Sequence, residues 1–335
     1  MNIVRVALAV PLPRFFDYLY SPDLMLIVGG RVLVPFGSQK RVGIVVDLPA
    51  SSDVAKEKLK PIIDVLDAES LFNSTTWDWL AWSANYYRAA LGDVLFQALP
   101  VKLRNGESAV KNDRTFWRIT DLGKQALESG ELKRAKKQIE ALNLLLTQDL
   151  EKGNNEISSA IWSALKGKDY VEEIIVPTEQ KSWQQTLGNN PLVNLDNRLT
   201  LNKQQALAFS QLIFQEGFNV WLLEGVTGSG KTEIYLQYIE EILKKGKQVL
   251  VLVPEIGLTP QTVRRFQARF NVEIDVLHSN LNDTQRLNVW ERARTGQSAI
   301  VIGTRSALFT QFSDLGLIIL DEEHDGSFKQ QDGWR

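Results

Sequence analysis

A glycine-rich stretch that ends in lysine and threonine is the part of the sequence that most directly predicts chemistry. It comprises Gly225, Val226, Thr227, Gly228, Ser229, Gly230, Lys231 and Thr232. Because glycine has no Cβ atom, such a loop can turn tightly and aim successive backbone N–H groups at phosphate oxygens. Lys231 adds a positive charge near the β- and γ-phosphates, and the Thr232 hydroxyl can ligate Mg²⁺. The spacing therefore predicts a loop that binds ATP with Mg²⁺. The alternative is a glycine loop that only joins a strand to a helix.

A cluster of acidic residues supplies the second half of a hydrolytic site. The apolar run 317–320 predicts a buried strand, and the tetrapeptide Asp-Glu-Glu-His follows it directly. We expect Asp321 to hold Mg²⁺ through water and Glu322 to orient and deprotonate the attacking water. Lys231, Asp321 and Glu322 are therefore the candidate catalytic residues.

The two motifs can meet only if a sheet brings them to the same edge. The alternating pattern of strands and helices from residue 199 onward predicts such a sheet. Helices are predicted at 231–245 and from near residues 259 and 283, and short apolar runs predict strands at 218–223, 248–253, 272–277, 299–303 and 315–320. This alternation is typical of a doubly wound parallel sheet, whose ligands bind at the carboxyl ends of the strands. We therefore predict an α/β P-loop (RecA-like) domain over 199–335.

Three further polar segments fit the same domain. Thr259 lies in the corner after one predicted strand, and Thr304 and Arg305 lie in the corner after a later one. Backbone N–H groups and hydroxyls in such corners can hold a nucleic-acid backbone, and the alternative is helix capping by Thr259 and Ser306. Upstream, the Gln205 amide can donate to and accept from an adenine edge together.

The N-terminal half is organised differently. Residues 1–105 contain alternating strands and a predicted hairpin across 37–40, which indicates a β-rich domain, and they include an aromatic helix at 74–89. We expect that helix to pack between the sheet and a neighbouring domain, with base stacking as the alternative. Residues 112–177 combine three short helices with flanking strands, which is typical of a winged helix-turn-helix module. Residues 178–198 are polar and are predicted to be a linker.

Composition limits the classes of function. The chain has 335 residues, of which 44% are hydrophobic and 23% charged, with no cysteine and two histidines, so no zinc ligands are expected in this chain. No apolar run approaches the roughly 20 residues of a membrane span and no signal peptide is evident, so the cytoplasm is the expected location. With a formal net charge of −2, any DNA contacts must come from local clusters or aromatic pockets and not from a global positive field. The basic residues in 133–137 are one such cluster, or else a solvated helix start.

Together these segments resemble a superfamily 2 helicase motor, and in detail the primosomal protein N′ (PriA) family of replication restart helicases. Four motifs carry the resemblance: Gly-Val-Thr-Gly-Ser-Gly-Lys-Thr-Glu at 225–233, Pro-Glu-Ile-Gly-Leu-Thr-Pro-Gln at 254–261, Gly-Thr-Arg-Ser-Ala-Leu-Phe at 303–309 and Asp-Glu-Glu-His-Asp-Gly-Ser-Phe-Lys-Gln-Gln at 321–331. Segments 10–18 and 31–37 resemble the family's 3′-DNA-binding domain. The resemblance covers essentially the whole chain.

The resemblance implies an ATP-driven 3′-to-5′ DNA helicase that recognises stalled or branched replication forks and starts primosome assembly. The implied cofactors are ATP and Mg²⁺. The implied partners are branched and single-stranded DNA, the 3′ end at a fork, other primosome proteins and the single-stranded DNA-binding protein, with no membrane. A monomer associated with the bacterial nucleoid is expected.

The family's pocket for a 3′-terminal nucleotide carries over to Phe16, Asp17, Gly37 and Lys60. Phe16 can stack a base, Asp17 can accept from a terminal sugar hydroxyl, and Gly37 allows close backbone approach. Without the resemblance, Asp17 and Gly37 are interpreted as a turn residue and a hairpin glycine. Phe328 and Trp334 resemble the family's aromatic-rich loop, which couples DNA contact to hydrolysis.

The chain departs from the family pattern near its end. It stops at Arg335, so we expect an incomplete first motor lobe, without the second lobe whose arginine stabilises the transferring phosphoryl group. The cysteines of the family's zinc-binding insertion are also absent from this chain. The first hypothesis is a replication restart helicase represented by its N-terminal portion. The alternative is a fork-DNA-binding module that holds nucleotide without productive turnover. A small-molecule P-loop kinase is disfavoured, because it needs neither the corner motifs nor the N-terminal modules.

Overall fold

The computed structural model describes residues 2–109, 114–129, 132, 135–152, 157–176, 180–212 and 217–329. The chain divides into two compact units. One unit comprises Met1–Ala109 together with Lys181–Arg335, and the other comprises Val110–Gln180. No helix in the described ranges is long and apolar enough to pass through a lipid bilayer.

The first unit begins with an antiparallel sheet, as the alternating sequence predicts. Its strands are β1 (Asn2–Leu8), β2 (Phe16–Tyr20), β3 (Arg31–Phe36), β4 (Gln39–Asp47) and β5 (Asp64–Val65), in the order β2-β1-β4-β3-β5. Alternate residues of β1 and β3, among them Val4, Val6, Val32 and Val34, are buried in one hydrophobic cluster. The predicted hairpin joins β3 to β4 through a tight turn in which Gly37 has a φ of 61°.

Three helices follow this sheet: α1 (Ser74–Tyr86), α2 (Leu91–Gln97) and α3 (Val101–Arg104). The first confirms the predicted aromatic helix, whereas the sequence pattern does not predict the other two. Trp79 of α1 packs on Phe309 with ring centroids 5.6 Å apart, while Trp82 and Tyr86 are more than half exposed and stack on each other. The packing expected for this helix is therefore found on the face that carries Trp79, whereas the face with Trp82 and Tyr86 is exposed.

The second unit combines three helices with a small sheet. It contains β6 (Arg114–Ile119), α4 (Asp121–Ser129), α5 (Lys136–Thr147), β7 (Leu150–Glu151), α6 (Ser159–Lys166) and β8 (Val171–Val176), and the antiparallel strand order is β7-β6-β8. The predicted helices and flanking strands are therefore confirmed. Trp117 stacks on Trp162 in the core of the unit, with ring centroids 5.3 Å apart. Of the predicted basic cluster, Lys136 and Lys137 are exposed, and 133–134 lie outside the described residues.

The C-terminal part of the first unit is built on a parallel sheet. Its elements are α7 (Trp183–Leu187), α8 (Lys203–Gln211), α9 (Lys231–Lys244), β9 (Gln248–Leu252), α10 (Pro260–Arg269), β10 (Ile274–Leu277), α11 (Asp283–Arg294), β11 (Ile300–Gly303) and β12 (Leu315–Leu320). The strand order is β10-β11-β9-β12, and every neighbouring pair is parallel. The structure differs from the sequence prediction in the stretch 178–198. Trp183 is 3% exposed in the core beside the sheet, so this part of the predicted linker is packed.

The strand predicted at 218–223 is not formed, which corrects the expectation from sequence. Residues 217–226 form neither helix nor strand, and Phe218 is 92% exposed. In the described part of the chain, β12 pairs with β9 on one side only, and its Ile318 and Leu320 side chains are 43% and 50% exposed. An apolar run favours an extended backbone, but a strand also needs a neighbour for its hydrogen bonds, and no local pattern specifies that neighbour.

A buried glutamine fixes the register of the parallel sheet. The Gln248 side chain, at the start of β9, is 1% exposed. Its Nε2 donates to the carbonyl oxygens of Ala293 at 3.0 Å and Ser298 at 2.7 Å. Its Oε1 accepts from the backbone N–H groups of Ser313 at 2.9 Å and Asp314 at 3.0 Å. Because Ser298 lies just before β11 and Ser313 just before β12, one amide aligns three strands.

Replacing Gln248 by methionine is expected to destabilise the first unit by at least about 2 kcal/mol, because buried backbone groups lose their hydrogen-bond partner at little change in side-chain volume. The matched control is Gln297→Met, since the partly exposed Gln297 amide donates to the Thr295 hydroxyl at 2.9 Å. The control is expected to cost less than about 1 kcal/mol. Urea unfolding of both variants measures the difference, and equal losses would contradict the register role.

Candidate functional site

The glycine-rich loop and the acidic turn converge on one cleft of about 720 Å³. The predicted residues that line it are Thr227, Gly228, Ser229, Gly230, Lys231, Thr232, Asp321 and Glu322. The convergence follows from the fold, because β12 ends at Leu320 and α9 begins at Lys231, and both ends open onto this cleft. A helix N-terminus presents unpaired N–H groups and a partial positive charge. The cleft is therefore suited to an anion such as a phosphate group.

Two glycines give the loop its shape. Gly228 and Gly230 have φ values of 80° and 82°, a left-handed conformation that other residues adopt only with strain. The Lys231 ammonium donates to the Gly225 carbonyl at 2.6 Å, which ties the lysine to the loop backbone. Ser229 Oγ is buried and has no hydrogen-bond partner in the described part of the chain. Such a hydroxyl fits a phosphate oxygen as its partner.

Tyr235 links the loop to the acidic turn, and the sequence analysis did not select it. Its hydroxyl donates to Asp321 Oδ2 at 3.2 Å and is also hydrogen-bonded to Thr232. Burial is the main cause that raises the pKa of Tyr235, and the negative charge of Asp321 raises it further. The phenol therefore stays protonated and remains a hydrogen-bond donor. The sequence does contain a signal for Tyr235, because it lies one helical turn beyond Thr232 on the predicted helix. Tyr235 thus contacts both Thr232 and Asp321, whose oxygen atoms are of the kind that Mg²⁺ takes together with phosphates and water.

The backbone at Glu322 is strained. Its φ of 52° places a non-glycine residue in the left-handed region, at a cost of order 1–3 kcal/mol. The Asp325 N–H donates to the Glu322 carbonyl at 2.9 Å and closes the turn. His324 Nε2 lies 3.5 Å from the Glu322 carboxylate. Strain of this kind is concentrated at functional sites, and here it accompanies a carboxylate that lines the cleft.

The cleft also contains charged residues that the sequence analysis did not select. Arg265 and Arg269 lie one turn apart on α10 and line the cleft beside Glu233. Arg269 is 1% exposed, and its guanidinium lies 3.4 Å from the carboxylates of Glu233 and Glu240. A buried arginine requires such partners. These residues come from two helices that are separate in sequence, so no local pattern could reveal the group.

The candidate adenine-binding glutamine contacts the loop but lies outside the cleft lining. Gln205 Oε1 accepts from the Asn202 backbone N–H at 2.9 Å, in a capping box at the start of α8. Its Nε2 donates to the Ser229 carbonyl at 2.9 Å. Val226, which also lies outside the lining, is 79% exposed. Adenine binding by Gln205 stays a prediction.

The corners after β9 and β11 lie at the same edge of the sheet as Asp321. The Thr259 hydroxyl accepts from the Thr262 N–H at 3.2 Å and caps α10, as the capping alternative predicts. Thr304 precedes a short 3-10 helix, Arg305–Phe309, and its side chain makes no capping bond there. Thr304 and Arg305 are both partly exposed, so they stay candidates for a DNA contact.

The predicted aromatic loop falls only partly within the described residues. Phe328 packs against the hydrophobic cluster formed by β9, β10, β11 and α11. Its ring therefore takes part in core packing, a placement that does not favour base stacking. Trp334 lies outside the described residues.

The N-terminal sheet carries a second pocket, of about 540 Å³. All four predicted end-binding residues line it: Phe16, Asp17, Gly37 and Lys60. They meet because Phe16 and Asp17 lie on β2, Gly37 lies in the β3–β4 turn, and the Lys60 carbonyl accepts from the Leu19 N–H of β2 at 2.9 Å. Three further cations of this pocket, which the sequence analysis did not select, are Arg5, Arg14 and Lys58.

Aromatic rings shape the pocket beside Phe16. The Phe16 ring meets the Phe36 ring edge-on, with centroids 5.2 Å apart, and the Arg14 guanidinium lies 5.0 Å from the Phe16 centroid. Such a cation is attracted by the ring face. A Cβ atom built on Gly37 would meet nothing within 4 Å. Within the protein, glycine is therefore required at Gly37 for its φ, and close approach of a ligand there stays a prediction.

The Asp17 carboxylate is ionised and 7% exposed. The hydrogen bond from Arg5 holds the pKa of Asp17 below its usual range, while burial opposes this effect and Ser52 adds to it. An ionised carboxylate is an acceptor only, so this group suits a neutral donor such as a hydroxyl.

Family models match both regions of the first unit. Residues 5–100 match the 3′DNA-binding domain (3′BD) of PriA. Residues 202–335 match the DEAD/DEAH box helicase. The first match includes the residues that line the pocket, and the second includes the glycine-rich loop and the acidic turn of the cleft.

Similar proteins span the whole chain. The replication restart protein PriA of Haemophilus influenzae is 76% identical over 335 residues, which is 100% of this chain and 46% of that protein. PriA of Buchnera aphidicola is 35% identical over 98% of this chain and 45% of that protein. PriA of Bacillus subtilis is 29% identical over 99% of this chain and 50% of that protein. The chain therefore spans about half the length of the curated relatives it matches.

Two glycines at opposite ends of α9 offer a matched test of the cleft. Gly230 and Gly246 have φ values of 82° and 79°. A Cβ at Gly230 would clash with Gln205 Nε2, whereas one at Gly246 would lie 3.5 Å from Gln184 Nε2. We expect Gly230→Ala to weaken binding of a fluorescent ATP analogue with Mg²⁺ by at least about tenfold, because the loop N–H groups lose their orientation. Gly246→Ala, which has similar backbone strain, is expected to bind normally. Equal affinities of the two variants would contradict the assignment.

Proposed function

Because the chain belongs to the family of the replication restart protein PriA, we propose that it forms the N-terminal part of an ATP-dependent DNA helicase that moves 3′ to 5′. The proposed role is recognition of stalled or branched replication forks, followed by primosome assembly. The proposed partners are branched and single-stranded DNA, other primosome proteins and the single-stranded DNA-binding protein. The proposed location is the bacterial cytoplasm.

The observation that carries this proposal is the shared lining of one cleft by the phosphate loop and the acidic turn. A phosphate-binding loop is expected in any nucleotide-binding enzyme, and an acidic turn alone is common. Because the phosphate loop and the acidic turn lie together beside a helix N-terminus, the cleft contains an anion site, oxygen ligands and a carboxylate that can act as a base. These are the parts that hydrolysis of a nucleoside triphosphate needs.

Each group of residues in the cleft has a separate role in the proposed hydrolysis. The loop N–H groups and Lys231 bind the phosphates, and Thr232 and Asp321 would hold Mg²⁺, with Tyr235 orienting the Asp321 carboxylate. When bound, Mg²⁺ supplies positive charge that offsets the charge on the phosphate oxygens. Glu322 orients the attacking water and takes its proton. Gln205 is proposed to recognise adenine.

The N-terminal pocket is proposed to receive the 3′-terminal nucleotide of a DNA strand. Phe16 stacks on the base, and Asp17 accepts a hydrogen bond from the free sugar hydroxyl. Lys60 contributes a cation to the same pocket and can pair with a phosphate. A strand that continues past this point has no free hydroxyl to donate, so the pocket distinguishes an end from an interior position.

Other parts of the chain are proposed to hold the rest of the DNA. The second unit is proposed to be a winged-helix module, supported by its three helices and its three-stranded antiparallel sheet. Thr259, Thr304 and Arg305 are proposed to contact the DNA backbone at the corners of the parallel sheet. Phe328 is the weakest of the proposed DNA contacts because of its packing.

Hydrolysis of ATP in the presence of forked DNA tests the motor. Forked DNA is expected to stimulate the rate, and Glu322→Gln is expected to lower it by about 10²–10⁴-fold with nucleotide binding retained, because the base is lost. Lys231→Ala is expected to lose both binding and turnover. The matched control is Glu323→Gln, since Glu323 is exposed and lies outside the cleft lining. A wild-type rate no higher than that of Glu322→Gln would refute hydrolysis by this chain.

Binding to DNA ends tests the pocket separately from the motor. Single-stranded oligonucleotides that end in a 3′-hydroxyl are expected to bind at least about tenfold more tightly than matched 3′-deoxy oligonucleotides, because a hydrogen bond to a charged group is lost. Asp17→Ala is expected to abolish this preference. Asp23→Asn is the control, since Asp23 accepts from Ser21 in an exposed turn. Fluorescence anisotropy measures the affinities, and a preference that survives in Asp17→Ala would rule out the assigned role.

A further inference from the structure

Both oxygens of the Asp17 carboxylate are already bonded within the protein. Arg5 and Asp17 face each other across β1 and β2 in the antiparallel register. Arg5 Nε donates to Asp17 Oδ1 at 2.9 Å, and Arg5 Nη2 donates to Oδ2 at 3.1 Å. Ser52 Oγ also donates to Oδ2, at 2.6 Å. The carboxylate is therefore held by a two-pronged ion pair and by one hydroxyl.

These bonds leave little acceptor capacity. An ionised carboxylate offers about two acceptor positions on each oxygen, about four in all. Arg5 and Ser52 together fill both positions on Oδ2, and Arg5 fills one on Oδ1. One position, on Oδ1, remains for a group that enters the pocket.

The charge of the pair is also balanced. The Arg5 guanidinium neutralises Asp17, and its Nη1 lies 4.0 Å from Asp47 Oδ2. The other charged groups that line the pocket are Arg14, Lys58, Lys60 and Asp53. An unpaired Asp17 would repel the phosphate of a terminal nucleotide, whereas the neutral pair does not.

We propose that Arg5, assisted by Ser52, is a positioning residue that sets the end specificity of this pocket by leaving Asp17 one acceptor position for a single hydroxyl. The inference rests on the proposed binding of a 3′ end and adds which groups determine its selectivity. A 3′-hydroxyl donates one hydrogen bond and fits. A 3′-phosphate carries negative charge and offers no obligatory hydrogen-bond donor. Because the free Asp17 oxygen can only accept hydrogen bonds, a 3′-phosphate is rejected.

A purely structural role for the same ion pair makes a different prediction. A cross-strand pair that only stabilises the sheet would change the stability of the protein and would leave the ratio of affinities for different ends unaltered. A positioning role changes that ratio, because the orientation and charge of the Asp17 carboxylate decide which end is accepted.

The experiment compares oligonucleotides that differ only in ending with a 3′-hydroxyl, 3′-hydrogen or 3′-phosphate. In Arg5→Met, which keeps an aliphatic stem and loses the donors, the preference for the 3′-hydroxyl over the 3′-hydrogen is expected to fall about tenfold, to near parity. The 3′-phosphate is expected to remain the weakest ligand of this variant, because the unpaired Asp17 charge repels it. Arg5→Lys keeps the charge without the two-pronged geometry and is expected to restore part of the preference. Lys58→Met removes a cation from the same pocket and is expected to weaken the 3′-hydroxyl and 3′-hydrogen ends alike, so that the preference between them is unchanged.

Ser52→Ala keeps the inference testable if Arg5→Met fails to fold, as judged by thermal unfolding. It leaves the ion pair in place and removes one of the bonds that orient the Asp17 carboxylate, so the hydroxyl preference is expected to fall about two- to tenfold. Full preference in Arg5→Met, or in Ser52→Ala where Arg5→Met is unfolded, would overturn the inference while leaving the proposed function standing, provided that Asp17→Ala loses the preference. No end preference in the wild-type chain would instead refute the proposed function.

Discussion

The parallel pairing of β9 with β11 and β12 is the constraint on which the C-terminal part of the structure depends. Parallel strands in register end at the same edge of a sheet, and here that edge carries Asp321, Thr304 and the turn after β9. The Gln248 amide sets this register from the opposite end of the strands. A slip of one residue would turn each strand's buried side chains to its other face and separate the acidic turn from the phosphate loop.

The two sites are built in different ways that suit their proposed ligands. The cleft gathers groups from loops at the ends of strands and a helix, where backbone N–H groups are unpaired and can bind phosphates. The N-terminal pocket instead uses side chains on paired antiparallel strands, whose geometry is fixed by the ladder itself. Precise placement of one carboxylate is easier on such a ladder than on a loop, because the backbone of β2 is held in register by its pairing with β1.

The pocket and the cleft belong to one compact unit, and direct contacts join their regions. Trp79 of α1 packs on Phe309, at the end of the 3-10 helix that follows Thr304. Asn73, which caps α1, also donates to the Phe312 carbonyl at 3.2 Å. The aromatic helix thus has a structural role on one face, while the exposed Trp82 and Tyr86 form its other face. A net charge of −2 is compatible with DNA binding here, because the pocket lining carries four cations and two carboxylates and is therefore locally positive.

The sequence by itself determined the phosphate loop, the acidic turn and four strands of the parallel sheet, because each depends on local spacing. The pocket residues followed from the family resemblance. Tertiary structure alone decided what depends on distant partners. Arg269 and Arg5 act through residues on other helices and strands, and so no local pattern selected them. The apolar run at 218–223 shows the converse, since its pattern favours a strand but pairing is decided by neighbouring strands. Short-range pattern therefore specified the chemical groups, and long-range packing specified which of them meet.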